Sequence, residues 1–148
     1  MKTHARVVVI GGGVVGVSTL YHLAQKGWSD VVLVERAELT AGSTWHAAGL
    51  LPLFNMSYTV GQLHKYSIDL YKRLQAETGQ DVSFHVTGNL RLATRRERMD
   101  EYQKYCGTAN TIGVPFQVIG PREVKELWPL LELGGSADTA AVIGALYH

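Results

Sequence analysis

The chain has one cysteine in 148 residues, which excludes an internal disulfide and any metal site built from several thiolates. Cys106 falls in register with apolar positions of a predicted helix and is read as a core residue. No pair of histidines has a metal-ligand spacing such as H-E-x-x-H; His22 and His64 fall in predicted helices and His85 in a predicted strand. The formal net charge is only +1, and no run of like charges exceeds two residues. Such a balance gives no field to steer nucleic acid or an anionic membrane, so neither is expected as a partner. No apolar run approaches the roughly 20 residues that cross a bilayer, and the six residues before the first apolar run are too few for a signal or transit peptide. A cytoplasmic protein is the simplest expectation, or one of the mitochondrial matrix if a transit peptide has been removed. Internal repeats and low-complexity segments are also absent.

Glycine is plentiful, 16 of 148, with the excess in the first 50 residues and in the tail. Val7 to Ile10 is a continuous apolar run of the kind a buried parallel strand needs, and it ends at Gly11. From Val14 the period changes to that of a helix, with Val17, Leu20, Leu23 and Ala24 on one face and Gly27 able to take a left-handed cap. A second apolar run, Val31 to Val34, ends at Glu35. This is a βαβ unit, and it predicts an α/β fold with a parallel sheet, Rossmann-like.

Inside that unit Gly11, Gly13 and Gly16 satisfy G-x-G-x-x-G, between a strand and a helix, with Glu35 at the end of the next strand. Gly11 permits the tight turn, Gly13 lets a pyrophosphate approach the backbone, and Gly16 allows close packing of helix on strand. The amides of the helix start, at Val14 and Val15, and the positive end of its dipole then favour phosphates. Glu35 would accept from ribose hydroxyls, which argues against a 2′-phosphate; the neighbouring Arg36 weakens that inference. The bland reading is a glycine-rich turn with a solvent-exposed glutamate.

Further on, Tyr58 to Thr78 is predicted as a long helix with Val60, Leu63, Leu70 and Leu74 on one face and Gly79 as its stop. Tyr66 and Tyr71 on it read as packing rather than a substrate cage. Phe84 to Val86 and Leu90 to Ala93, with Gly88 and Asn89 between them, predict a hairpin. Thr94 and Glu97 form a capping-box pattern before a helix that carries Met99, Tyr102, Cys106 and Ala109 as far as Gly113. Phe116 to Ile119 is a strand candidate, and Pro121 opens a short helix that Pro129 closes. The tail, Ala140 to Tyr147, is an apolar run without cap or turn, read as a truncated end.

FAD and NAD share the glycine fingerprint, and the segment after the second strand decides between them. Gly42 Ser43 Thr44 Trp45 His46 Ala47 Ala48 Gly49 Leu50 is rich in small residues, with hydroxyls suited to capping a helix or to holding phosphate or ribityl groups. Trp45 would either shield a flavin edge or fill a core. Together with Gly11 to Gly16, this string resembles the dimethylglycine and sarcosine dehydrogenases of the D-amino-acid-oxidase-like flavoproteins. The likeness extends through Glu77 to Gln80, Gly88 to Thr94 and Trp128 Pro129, and so over nearly the whole chain.

That resemblance implies FAD, covalently joined through the histidine of the string, here His46. The remaining alternative is that His46 only hydrogen-bonds a noncovalent flavin or caps a helix. It further implies oxidative demethylation of a small N-methyl amine, with electrons passing to an acceptor flavoprotein or to oxygen. Longer members also carry a tetrahydrofolate module. Residues 1–50 are then the dinucleotide-binding unit with the attachment segment, and 51–148 the start of a mixed α+β, substrate-side portion. No catalytic residue is assigned within these 148, and the chain by itself is expected to be inactive. Two rivals stand beside this: a catalytically silent regulatory protein of the same fold, and an NAD-dependent enzyme.

Overall fold

The computed structural model describes residues 3–148, which divide into two compact units, up to Leu50 and from Leu51. In the first unit, strand β1 (Val7–Ile10) leads into helix α1 (Val14–Gln25) and returns as strand β2 (Val31–Val34). The strands pair in parallel, Val7 opposite Val31 and Ile10 opposite Val34, as the two apolar runs predict. Helix α1 ends in the arrangement its glycine allows: Gly27 has φ +80°, its amide donates to the Ala24 carbonyl, and that of Trp28 donates to Leu23. A 3₁₀ turn, Ser43–His46, follows β2. Val17 and Ala24, predicted for the packed face of α1, are exposed, and α1 carries no fully buried side chain.

The second unit holds α2 (Tyr58–Thr78), β3 (Leu90–Ala93), α3 (Arg96–Ile112), β4 (Gln117–Ile119), α4 (Pro121–Leu127) and β5 (Gly144–Tyr147). Its sheet is antiparallel, in the order β3-β5-β4. Tyr102, Tyr105, Ala109 and Ile112 of α3 pack on it with Ala93, Phe116 and Leu146, while Val124 of α4 meets Ile119 and Ala145 in a separate cluster. Tyr105 is fully buried, and its hydroxyl donates to the Leu53 carbonyl (2.8 Å) and accepts from the Asn55 amide (3.0 Å). Cys106 is half-buried beside this core, with its thiol toward the Phe116 carbonyl and its pKa pushed up by burial.

Several sequence expectations are corrected here. The hairpin does not form: 84–86 is not a strand, and β3 pairs instead with β5, Leu90 opposite Tyr147. The end of the apolar tail, to which no element is assigned from sequence, forms the central strand Gly144–Tyr147, and the burial of Ala145 and Leu146 between two layers accounts for the hydrophobicity of that strand. The Thr94–Glu97 box is out of register, because the chain stays extended through Arg95, whose side chain makes no cap bond. The packed face of α2 is also turned from the predicted one: Gly61 and Ile68 are buried, whereas Val60 and Leu63 are exposed. A Cβ on Gly61 would land on the Ile112 side chain, so the helices approach where one has no side chain. Lys65 then reaches the Ile112 carbonyl at 3.3 Å, near the negative end of α3.

Candidate functional site

The glycine loop between β1 and α1 is shaped by what it lacks. Gly11 has φ +105°, in the left-handed region, and a Cβ there would meet nothing within 4 Å, so the backbone is open to a close-lying group. A Cβ on Gly16 would fall on the Gly11 carbonyl oxygen, and only glycine lets α1 start so close to the strand. The first intrahelical bond runs from the Val17 amide to Gly13, which leaves the preceding amides for outside acceptors. No acidic residue lies in that first turn, and Gly13 at the N-cap has no side chain to cap it. The first turn of α1 therefore contributes no acidic side chain of its own to the positive end of the helix.

The cap comes from far along the chain. The hydroxyl of Thr44 accepts from the Val14 amide at 2.9 Å, thirty residues away in sequence. A Cβ on Gly13 would stand 3.1 Å from that oxygen. Glu35, half-buried at the end of β2, accepts from the Gly12 amide through Oε2 (2.6 Å) and from the amides of Arg36 (2.7 Å) and Ala37 (3.0 Å) through Oε1. The Gly12 bond, followed by that of Ala37, holds its pKa below the usual carboxylate value. Gly12 in turn accepts from the Thr40 amide (2.9 Å) and lies under Leu39, whose Cδ2 would be 2.6 Å from a Cβ.

The structure thus brings Gly11, Gly13, Val14, Gly16, Glu35 and Thr44 together. Gly12, Leu39 and Thr40 belong to the same cluster and are not among the sequence-predicted site residues, since the glycine fingerprint leaves its second position free. The run of three glycines, 11 to 13, is the signal that pointed there. Val15, Gly42 and Ser43 are exposed. Trp45 is 66% exposed among the described residues and lies against His46, with ring centres 4.0 Å apart and the planes tilted by 35°. His46 closes the 3₁₀ turn with Nδ1 3.3 Å from the Gly42 carbonyl. A carbonyl only accepts, so in this contact the ring nitrogen is the donor. Ala47, Ala48, Gly49 and Leu50 continue as exposed chain without regular structure. Arg36 is exposed and serves the cluster through its amide.

Open backbone at Gly11, amides at a helix start free of acidic side chains, and an acceptor carboxylate at the end of β2 fit the pyrophosphate and ribose of a dinucleotide. Among the described residues there is no cluster of histidine, cysteine or carboxylate side chains able to hold a metal, and no helix long and apolar enough to cross a membrane.

A family model for FAD-dependent oxidoreductases matches residues 6–148. The chain is 50% identical over 132 residues to the mitochondrial dimethylglycine dehydrogenase of Rattus norvegicus, which covers 89% of this chain and 15% of that protein. It is 36% identical over 147 residues to the mitochondrial pyruvate dehydrogenase phosphatase regulatory subunit of Mus musculus, covering 99% of this chain and 16% of that one. Among solved structures, L-proline dehydrogenase from P. horikoshii matches with a TM-score of 0.87 and 30% identity, over 100% of this chain and 37% of that one. The chain therefore spans about a sixth of the length of these curated relatives.

Proposed function

Because the chain belongs to the FAD-dependent oxidoreductases, we propose that it is the FAD-holding portion of an enzyme that oxidatively demethylates a small N-methyl amine of the dimethylglycine or sarcosine type. The observation that carries the cofactor half of this reading is the first turn of α1, whose amides meet no acidic side chain and whose cap is a hydroxyl rather than a carboxylate. The substrate half rests on the 50% identity to a dimethylglycine dehydrogenase. Bound flavin supplies the two-electron acceptor for the substrate's methyl C–H. The glycine loop holds the pyrophosphate, Glu35 offers its remaining lone pair to a ribose hydroxyl, and Trp45 covers His46. His46 would be the attachment point, its imidazole held by the 3₁₀ turn where it could join the 8α carbon of a bound flavin. In turnover the electrons pass to an acceptor flavoprotein or to oxygen, and a tetrahydrofolate module elsewhere in the protein would capture the released one-carbon unit. The curated relatives named above are mitochondrial, in keeping with the matrix alternative for this protein.

The 36% identity to a phosphatase regulatory subunit favours one second reading, a flavoprotein fold kept for binding without turnover. The attachment string speaks for the enzyme, since a silent subunit has no need of a tethered flavin. Protein containing this chain should stay yellow after acid precipitation and show a fluorescent band in a denaturing gel, and His46→Ala should lose that band. Release of all flavin from the wild type on denaturation would overturn the attachment.

A further inference from the structure

We propose that Thr44 is a positioning residue, whose hydroxyl fastens the 3₁₀ turn carrying His46 to the first turn of α1 so that the phosphate loop and the attachment histidine are held in one frame. The inference rests on the reading of His46 given above. The Val14 amide donates to Thr44 Oγ1 at 2.9 Å, and this is a cap that α1 cannot supply locally. Gly13 leaves the room the hydroxyl needs. Within 42–46, Thr44 alone is half-buried, while Gly42, Ser43, Trp45 and His46 are exposed. The turn is closed on Thr44 itself, by the Ala47 amide to its carbonyl at 3.2 Å, and His46 reaches back to Gly42.

The approach from β2 is shaped to the same end. Thr40 has φ +69°, an uncommon conformation for a β-branched residue, and its amide bonds the Gly12 carbonyl. Leu39 closes over Gly12, where a side chain would collide. Three residues spaced along the connection, Glu35, Thr40 and Thr44, thus each bond the loop or the helix start, and Thr44 is the last before the histidine. A single residue of a tight turn, Trp45, separates the cap from the imidazole. Loss of the cap frees the imidazole to wander, and misplacement by about 1 Å costs a reaction on the order of a hundredfold at worst.

The test follows covalent flavin uptake by the complete apoprotein at increasing FAD, read as gel fluorescence against time. Thr44→Val keeps the shape and removes the acceptor; Thr44→Ser keeps the acceptor. Thr44→Val is expected to lower the maximal rate at saturating FAD roughly tenfold or more, with Thr44→Ser close to wild type. A Thr44→Val protein that reaches the wild-type maximal rate and only needs more FAD would show a residue that binds cofactor without positioning His46, and would overturn the proposal. Amide exchange at Val14 in the apoprotein provides a readout independent of flavin, expected to be faster in Thr44→Val; equal exchange overturns the cap. A wild type that forms no covalent bond refutes the reading of His46, and the exchange at Val14 then decides the cap alone.

Discussion

Glu35 is held by three backbone amides before any ligand arrives. A carboxylate offers about four acceptor positions, so one is left for an outside donor, the part given to a ribose hydroxyl in the proposed function. Its folded pKa lies below its unfolded value of 4.5, so the contribution of this carboxylate to the loop is full above pH 4.5 and lost as pH falls through the lower folded value. The Gly12 amide resonance should therefore titrate with a midpoint below 4.5, and a midpoint above it would place the carboxylate elsewhere. Glu35→Ala should slow FAD uptake by loosening the loop as well as by losing the ribose acceptor. Tyr105 gives the clearest stability test in the second unit. Tyr105→Phe leaves the ring in place and strips one bond from the Leu53 carbonyl and one from the Asn55 amide, for a loss of about 1–2 kcal/mol in denaturant unfolding. An unchanged midpoint would mean that water replaces the hydroxyl at both groups.

At the level of elements, what the sequence shows is what its own neighbours determine. The βαβ unit, the stop of α1 at Gly27 and the span of α2 from Tyr58 to Thr78 follow from apolar period and terminal glycines, and each is present at those residues. Two of the failures share a physical root, a partner distant in sequence, whereas the Thr94–Glu97 box fails locally, on the extended backbone at Arg95. Leu90 to Ala93 looks like half of a hairpin because Gly88 and Asn89 precede it, yet its mate lies in β5. Gly12 shows no task in the fingerprint because Glu35, Leu39 and Thr40 arrive later. The α2 face differs from the apolar count because that count passes over glycine, although Gly61 is where a Cβ would strike Ile112 of α3. Gly61→Ala should cost about 1–3 kcal/mol by driving a methyl into Ile112, and Ile112→Val in the same chain should restore part of it. Failure of the second change to compensate would show that the helices separate instead.

Taken whole, the two units differ in how they are held. The second has a core, with Tyr105, Val124, Ala145 and Leu146 fully buried. The first has none among its described residues: Ile10 is 86% exposed, and Val8, Val34 and Leu39 also face outward. About fifty residues lie near the lower limit for independent folding even with a proper core. In this 148-residue chain, amide exchange in β1, α1 and β2 should be faster by orders of magnitude than in α3 and β5, and comparable protection in both units would refute that difference. The position of β5 adds a consequence in time. It follows β3 and β4 in the chain and lies between them in the sheet, so neither has this ladder to join until it emerges. Between Ala93 and Gly144 the ribosome must add some fifty residues, roughly 3 to 10 s of synthesis. During that interval the nascent chain presents first β3 and then, as they are made, the apolar face of α3 and β4 as well, all without β5, to any chaperone, or any second nascent chain, within reach.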